Sequence, residues 1–363
     1  MFFKLTRIVT FFLILLGALG VGYSYFILTH SSIHQSYSVL TVKPSLHPSP
    51  VPTQTIEQIF TYYPDPLKEV SQTNPHEYHL LATGDVIPAR SVNNKMVTLK
   101  NFRYPFEKTA PVLQAAEILF INLESPLTSD CQPTIEGMIF CGKDTGIEGL
   151  TYAGVDVAST ANNHAGNQGI EGINSTVHLL EKNNILVTGN GHAAIKTLKD
   201  KRVGFLGYND IGAPEQGLSW ADPQTIQKEV SELRKQVDFL IVTFHWGTEY
   251  KHDPDPAQVD LAHLTIDAGA DVIIGNHPHW VQGVERYKGK FITYAHGNFV
   301  FDQMWSQETR EGVLGQYIFS DEGLKKIQFF PIIIEDYSQP RFATEVEAKK
   351  ILGDMKEASF LLQ

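Results

Sequence analysis

Short apolar runs that stop at a polar residue recur along most of the chain. Each run is rich in Val, Ile, Leu or Phe and ends at Gly, Asn, Asp, Glu or His. Runs of this length and composition are typical of strands buried on both faces. The predicted strands are 79–85, 118–124, 155–164, 185–191, 202–210, 237–247, 271–279 and 290–298.

Amphipathic patterns with helical spacing separate these predicted strands. The alternation predicts an α/β fold with helices on both sides of the sheet system. After residue 310 the pattern changes to two apolar runs joined by Asp321-Glu322-Gly323, which predicts an antiparallel hairpin and therefore mixed sheets. The predicted helices are 106–117, 169–184, 222–236 and 255–270.

An uncharged apolar run occupies residues 8–28, directly after Lys4 and Arg7. About 21 residues at ~1.5 Å each span ~30 Å, the thickness of a bilayer core. We therefore predict a single-pass membrane anchor over 1–28, with the basic N-terminus in the cytoplasm. A cleaved signal peptide is the alternative. Under either interpretation the remaining chain is expected outside the cytoplasm.

The rest of the chain divides by composition. Residues 29–77 are rich in Ser, Pro, Thr and His, which favours a disordered, extended stalk. Within it, the weakly amphipathic segment 55–63 could dock on the following domain. The globular domain is expected at 78–340, followed by a tail or helix at 341–363.

Charge and cysteine content narrow the function. The 363-residue chain has a net charge of −11, which argues against a nucleic-acid partner because phosphate neutralisation needs a basic surface. Two cysteines are too few for a Cys-rich zinc module. Outside the cytoplasm Cys131 and Cys141 are expected to form a disulfide, and two free thiols are the alternative.

The polar residues at the strand ends suit a metal site. The carboxyl ends of strands in open α/β folds gather at one edge, where ligands bind. Carboxylate, amide and imidazole donors favour divalent Mn, Zn or Fe, as one ion or two, with Glu124 as the natural bridge. Each residue alone also fits a turn, a helix cap or a hydrogen bond, but the recurrence favours metal binding. The candidates are Asp85, Glu124, Asn163, His164, His245, His277 and His279.

Six segments contain the candidate residues and their neighbours: LATGDVIPAR (81–90), INLESPLT (121–128), ANNHAGNQG (161–169), FHWGTEY (244–250), IGNHPHWVQ (274–282) and YAHGNFVFDQ (294–303). Together they resemble the CapA family, the poly-γ-glutamate capsule synthesis proteins. The resemblance implies a calcineurin-like metallophosphatase fold, an αββα sandwich. It also implies metal ligation by Asp85, Glu124, Asn163, His245, His277 and His279, with His164 acting on the substrate.

Several positions depart from the family pattern. No His follows Asp85 in the first motif, and Glu124 stands where most metallophosphatases have Asp. These differences predict one firmly held metal and a weaker second one. Asn167 replaces the Asp that CapA relatives usually carry. His296 replaces an apolar residue and is either an extra ligand or a polar substitution.

Other residues within these motifs are candidates for substrate contact. Arg90 could bind a carboxylate or phosphate through bidentate hydrogen bonds, and we assign it to the catalytic residues together with His164. A surface salt bridge is the alternative for Arg90. The other candidate substrate contacts are Asn162, Glu249, Tyr250, His296 and Asn298.

Three functions are compatible with these features. The first is a metal-dependent hydrolase acting on a phosphoester or a γ-glutamyl amide of an anionic envelope polymer, with His164 protonating the leaving group or stabilising developing charge. The second is a non-catalytic accessory that binds such a polymer beside other capsule-synthesis subunits. The third is a purely structural domain. The chain has no P-loop, nucleophile elbow or His-Glu-x-x-His motif.

Overall fold

Two mixed β-sheets form the centre of the computed structural model, which describes residues 54–72 and 74–360. All of these residues belong to one structural unit, Pro48–Gln363. The strands are β1 Glu77–Val86, β2 Ile118–Leu123, β3 Leu127–Thr128, β4 Gly142–Lys143, β5 Val157–Ser159, β6 Leu186–Thr188, β7 Ala194–Leu198, β8 Lys201–Asn209, β9 Phe239–His245, β10 Val272–Asn276, β11 Val284–Tyr287, β12 Lys290–Thr293, β13 Asn298–Val300, β14 Glu311–Ser320, β15 Gly323–Glu335 and β16 Gln339–Phe342.

Helices connect the strands and cover the sheets. Several begin with Pro in the first turn, where its missing N–H costs nothing. The α-helices among the described residues are α1 Ile56–Ile59, α2 Pro66–Val70, α3 Arg90–Leu99, α4 Ala110–Leu113, α5 Ile147–Ala153, α6 Gly169–Lys182, α7 Pro223–Arg234, α8 Pro256–Ala268 and α9 Glu345–Phe360.

The first sheet has the order β16-β15-β14-β1-β2-β5-β6, and β13 pairs with the end of β1. Strands β1, β2, β5 and β6 are parallel, whereas β14, β15 and β16 are antiparallel. The second sheet has the order β11-β12-β10-β9-β8-β7. Every predicted strand run contains an observed strand, and the predicted hairpin is β14–β15. The predicted α/β fold with mixed sheets is therefore confirmed.

The sheets pack face to face through apolar side chains. Phe120 of β2 stacks on Phe205 of β8, with ring centroids 5.9 Å apart. On β2, Phe120 joins the core between the sheets, while its neighbours Leu119 and Ile121 join a second core beneath the helices. This alternation follows from the two-residue period of a strand. A third core lies between the second sheet and α7–α8, so helices cover both outer faces.

Residues 54–77, the last part of the predicted stalk, contain α1, α2 and the first residue of β1. Ile59 is buried in the core between the sheets. The Gln54 amide binds the backbone of Ile327 twice, donating to its O at 2.6 Å and accepting from its N at 2.9 Å. This segment is therefore docked on β15. The predicted anchor and residues 29–53 lie outside the described residues.

No helix within residues 54–72 and 74–360 combines the length and the apolar character that crossing a membrane requires. The predicted tail 341–363 contains α9. Its residues Ile351 and Met355 are buried against the core between the sheets.

Cys131 and Cys141 form a disulfide, with their Cα atoms 5.7 Å apart. The expected pairing is confirmed, and the alternative of two free thiols is wrong. The disulfide closes a loop whose residues 132–139 are exposed, whereas Phe140 is buried. The closed loop therefore contributes one buried aromatic ring to the protein interior.

Candidate metal centre

Strand register brings polar residues of both sheets to one place. Asp85 at the end of β1 pairs with Asn122 of β2 and with Asn298 of β13. In the second sheet, His245 at the end of β9 pairs with Asn276 of β10. Because parallel strands end together, the loops that follow them converge at one edge. That edge carries the predicted ligands.

The carboxylates and imidazoles lie within contact distance of one another. Nδ1 of His279 lies 3.1 Å from Oδ2 of Asp85, and its Nε2 lies 4.0 Å from Oε1 of Glu124. Nε2 of His245 lies 3.5 Å from the same Glu124 oxygen. Nδ1 of His277 is 3.1 Å from Nε2 of His245. These five side chains form one buried cluster, which we call the ligand cluster.

Asn163 extends the ligand cluster from the first sheet. Its Oδ1 lies 2.9 Å from Nε2 of His245. All six predicted metal ligands therefore meet, although they come from five separate segments of the chain.

The His-x-His segment has a strained backbone. His277 has φ 99° and His279 has φ 58°, both in the left-handed region that non-glycine residues rarely adopt. The N–H of His277 donates to Oδ2 of Asp85 at 3.3 Å, and the N–H of Tyr250 donates to the carbonyl of Pro278 at 2.8 Å. These bonds hold a conformation that costs free energy by itself and that aims both imidazoles at the ligand cluster.

The ligand cluster fits a divalent metal. Glu124 is fully buried, and neither of its carboxylate oxygens accepts a hydrogen bond. Burial and the nearby charge of Asp85 raise the pKa of Glu124 well above its ordinary value. A buried carboxylate without a partner is costly unless a cation compensates it. Three sets of side chains could each hold an ion: Glu124 with His245 and His277, Asp85 with Glu124 and His279, and Glu249 with His277 and His279.

The imidazoles differ in charge. Burial lowers the pKa of His245 to about 3 and that of His277 well below its ordinary value, so both are neutral at pH 7. Neutral imidazole is the form that binds metals. Burial also opposes the charge on His279, but Glu124 and Asp85 raise its pKa to about 9. Burial disfavours ionised Asp85 as well, yet the hydrogen bond and charge of His279 hold its pKa below the ordinary value.

Asn122 is a site residue that the sequence analysis missed. Its Nδ2 donates to Oδ1 of Asp85 at 2.8 Å and lies 3.2 Å from Nδ1 of His245, so it links the two sheets. Groups that orient metal ligands in this way usually affect affinity. The available signal was its position in INLE, two residues before Glu124 in a predicted strand.

Arg90 does not lie free to receive a substrate anion. Its guanidinium pairs with Asp302 and lies 4.9 Å from the ring centroids of both Phe140 and Phe301. The backbone N–H of Ser91 donates to the same Asp302 carboxylate at 3.0 Å. Asp302 thus neutralises Arg90, and the pair is largely buried rather than at the surface. Asp302 lies in the segment 294–303, but it is 212 positions from Arg90 in the sequence, so no local pattern predicted this ion pair.

His164 lies beside the ligand cluster and is bound by Asn167. Nδ1 of His164 is 2.9 Å from Oδ1 of Asn167. Burial lowers the pKa of His164 to about 4, although the bond to Asn167 opposes the shift. At neutral pH the ring is therefore uncharged. A neutral ring can accept a proton, which differs from the expectation that His164 protonates the leaving group.

Two predicted substrate contacts, Asn162 and Asn298, instead bind protein groups. Asn162 accepts hydrogen bonds from the N–H groups of His164 and Ala165 and donates to the Leu123 carbonyl. Asn298 Oδ1 lies 2.9 Å from Nδ1 of His279 and thereby orients that ring.

His296 lies in the core between the sheets. Its Nδ1 is 3.2 Å from the Thr83 carbonyl and its Nε2 is 2.9 Å from the Tyr317 hydroxyl. Both ring nitrogens therefore have hydrogen-bond partners within the protein. Burial lowers the pKa of His296 to about 4. This placement favours a polar core substitution over an extra ligand.

Glu249 and Tyr250 lie on the outer side of the ligand cluster. A Glu249 oxygen lies within 4.8 Å of ligand atoms on His277 and His279. The Tyr250 hydroxyl accepts a hydrogen bond from Gln303 at 3.1 Å, and its ring meets Trp305 edge-on at 4.9 Å. Trp305 is exposed. Glu249, Tyr250 and Trp305 are thus less buried than the ligand cluster that they border.

Comparison with known proteins gives consistent matches. A family model described as bacterial capsule synthesis protein PGA_cap matches residues 79–303. The PGA biosynthesis protein CapA of Bacillus subtilis is 31% identical over 76% of this chain and 77% of its own. The capsule biosynthesis protein CapA of Bacillus anthracis is 28% identical over 74% of this chain and 70% of its own.

A solved structure shares the fold. The crystal structure of a novel phosphatase from Mycoplasma pneumoniae matches with a TM-score of 0.50 at 12% identity, covering 73% of this chain and 96% of that one. The mixed-sheet α/β fold is thus metallophosphatase-like, as predicted.

Proposed function

This chain belongs to the bacterial capsule synthesis protein family PGA_cap, and from that membership we propose that it acts in the synthesis or export of a γ-glutamyl capsule polymer through a metal-dependent hydrolytic site. The observation that carries the proposal is Glu124, a fully buried carboxylate with no hydrogen-bond partner, facing three histidines. The bond to be cleaved is a phosphoester or γ-glutamyl amide in the cell envelope.

The ligand cluster supplies the means to hold one or two divalent ions such as Mn, Zn or Fe. Asp85, Glu124, Asn163, His245, His277 and His279 are the proposed ligands. An ion bound there would polarise the scissile group and lower the pKa of the attacking water. Asn122 holds Asp85 in place by donating a hydrogen bond to its carboxylate at 2.8 Å. Asn298 holds His279 in place by accepting from its Nδ1 at 2.9 Å.

His164 is the proposed proton acceptor. Its Nδ1 is engaged by Asn167, which leaves Nε2 to take a proton from water or from the substrate. Because Asp302 neutralises Arg90, we assign Arg90 to packing against Phe140 and Phe301 and not to binding the negative charge of the substrate.

His164→Ala is expected to lower kcat by about 10²- to 10⁴-fold, the range for losing one acid–base group, with unchanged metal content. The measurement is hydrolysis of p-nitrophenyl phosphate, bis-p-nitrophenyl phosphate and poly-γ-glutamate by the Mn²⁺-loaded full-length chain. His178→Ala, an exposed histidine on α6, is the matched control and should retain wild-type turnover. Full turnover by His164→Ala would contradict the proposed role.

A polymer-binding accessory is the second candidate. Arg90 is paired with Asp302 and the chain carries a net charge of −11, so we propose that a polymer carboxylate binds through the metal at the edge near Glu249. This candidate gains support if the metal-loaded chain binds poly-γ-glutamate, loses it on chelation, and hydrolyses none of the three compounds. Capsule-synthesis subunits would then be its partners.

We also propose that the N-terminal segment 1–28 anchors the chain in the cell membrane and that the domain lies outside the cytoplasm. The Cys131–Cys141 disulfide supports this location, because disulfides persist mainly in oxidising compartments.

Protease added to intact spheroplasts is expected to degrade the domain, while a cytoplasmic marker protein stays intact. A membrane-permeant thiol reagent should leave Cys131 and Cys141 unlabelled until a reductant is added. Protection of the domain from the protease, or labelling without reductant, would refute this topology.

A further inference from the structure

The loop closed by the Cys131–Cys141 disulfide contacts both residues that we predicted to be catalytic. Phe140, next to Cys141, stacks on the imidazole of His164 with centroids 3.9 Å apart and rings tilted by 18°. The Arg90 guanidinium lies 4.9 Å from the same ring. Arg90 Nη1 also donates to the Gly137 carbonyl of the loop at 3.4 Å. One loop therefore touches two separate parts of the site.

Asn167 joins the loop to His164 by hydrogen bonds. The backbone N–H of Phe140 donates to Oδ1 of Asn167 at 2.6 Å, and Nδ1 of His164 lies 2.9 Å from the same atom. A backbone N–H can only donate, so the shared atom must be the amide oxygen. An amide oxygen can only accept, so Nδ1 of His164 must carry the proton. Nε2 is then left with a free lone pair.

The loop has little other burial to hold it in place. Residues 132–139 are exposed, and Ile135, Met138 and Ile139 are 62%, 64% and 72% accessible. Phe140 is the buried exception, and Gln168 fixes its carbonyl with a hydrogen bond of 3.1 Å. An exposed loop of this length gains order from a cross-link, because the disulfide removes conformational freedom that ordering would otherwise cost.

We propose that the disulfide-closed loop is a positioning element: through Phe140 and Asn167 it holds His164 in one orientation and in the Nδ1–H tautomer. The proposal rests on the function proposed above in assigning His164 a part in the reaction. The stacked Phe140 ring restricts rotation of the imidazole. Oδ1 of Asn167 accepts hydrogen bonds from both the Phe140 N–H and His164, which places the imidazole proton on Nδ1. Opening the loop would remove the stack and the bond that fixes the Asn167 amide, so the Nε2–H tautomer becomes accessible.

The test measures the tautomer itself. The full-length chain, labelled with ¹⁵N-histidine and loaded with diamagnetic Zn²⁺, is examined by two-bond ¹H–¹⁵N correlation spectra, and His164→Gln assigns the signal. The wild type is expected to show the Nδ1–H form of His164. Phe140→Ala removes the ring that holds the loop against His164, and Cys131→Ser/Cys141→Ser opens the loop. Each change should withdraw the backbone N–H of residue 140 from Asn167 and shift the tautomer ratio by about five-fold, the effect of one ordinary hydrogen bond. Ile139→Ala, an exposed change in the same loop, should leave the ratio unaltered.

A wild-type Nε2–H form would overturn the proposal, and so would an unchanged ratio in Phe140→Ala. If the double cysteine variant fails to fold, Phe140→Ala decides the matter, because it keeps the disulfide. The readout does not depend on turnover. A chain that hydrolyses nothing yet shows the expected shifts refutes the proposed hydrolysis and retains the role of the loop.

Discussion

Glu124→Gln is expected to weaken divalent-metal binding by at least ~100-fold and, at the same time, to stabilise the metal-free protein. The affinity falls because losing a metal ligand exceeds the roughly 10–100-fold effect of losing a group that merely orients one. The metal-free protein gains because the native carboxylate is fully buried and accepts no hydrogen bond. Burial disfavours the ionised carboxylate, and relief of that penalty is worth about 1–3 kcal/mol.

The gain in stability should depend on pH. Burial and Asp85 raise the pKa of Glu124 in the folded state above its unfolded value. The protonated carboxyl group therefore contributes free energy of folding that is fully present below the unfolded-state pKa. This contribution is lost as pH rises through the folded-state pKa. The amide cannot lose a proton, so the advantage of Glu124→Gln is greatest at neutral pH and shrinks in acid. Urea unfolding with a chelator, at several pH values, measures the gain, and Mn²⁺ titration calorimetry measures the affinity.

Glu285→Gln is the matched control. Glu285 is also buried, but its carboxylate accepts a hydrogen bond from Tyr294 at 2.7 Å and lies 2.9 Å from Nε2 of His263. The same substitution should therefore destabilise the chain and leave metal affinity unchanged. If Glu124→Gln bound Mn²⁺ as tightly as the wild type, the ligand cluster would not be a metal site.

Gly84→Ala is expected to destabilise the fold by ~3 kcal/mol, at the upper end of overpacking effects, and to abolish metal binding. A Cβ on Gly84 would lie 2.1 Å from the Gly297 carbonyl oxygen. That oxygen accepts the hydrogen bond of the Asp85 N–H at 2.9 Å. Neither backbone can move without separating β1 from β13, which would carry Asp85 away from His279. Denaturant unfolding and the metal content of the purified protein measure the two effects.

Gly146→Ala provides the comparison. A Cβ there has its nearest neighbour, a Leu127 methyl carbon, at 3.6 Å, which is ordinary contact. This variant should lie within about 1 kcal/mol of the wild type and bind metal normally. Equal stability of the two alanine variants would show that the approach of β1 to β13 is not tight.

The strands could be predicted more completely than the helices. Interior strands such as β9 and β10 are buried on both faces, so they appear as continuous apolar runs. Helix α3 escaped prediction because its buried positions, Val92, Asn93 and Met96, include a polar residue and leave little apolar period. Strands β3 and β4 have two residues each, too few for any pattern.

For the candidate site, the ligand cluster could be found from sequence but its supporting groups could not. Ligands such as Asp85 and His245 stand at the ends of strands, where the apolar pattern stops abruptly. Asn122 lies inside a strand, where an Asn resembles any other polar interruption. Its role depends on the distance to His245, 123 positions away, which no local pattern encodes.

The sequence by itself determined the α/β class, the strand runs, the ligand residue types and the disulfide partners. These follow from hydrophobic periodicity, donor chemistry and cysteine number, which are properties of single segments. The tertiary structure decided which groups remain free to act. It pairs Arg90 with Asp302, buries His296 between the sheets and sets Phe140 on His164. Those outcomes depend on contacts between distant segments, because a side chain's charge, tautomer and access are set by whatever packs against it.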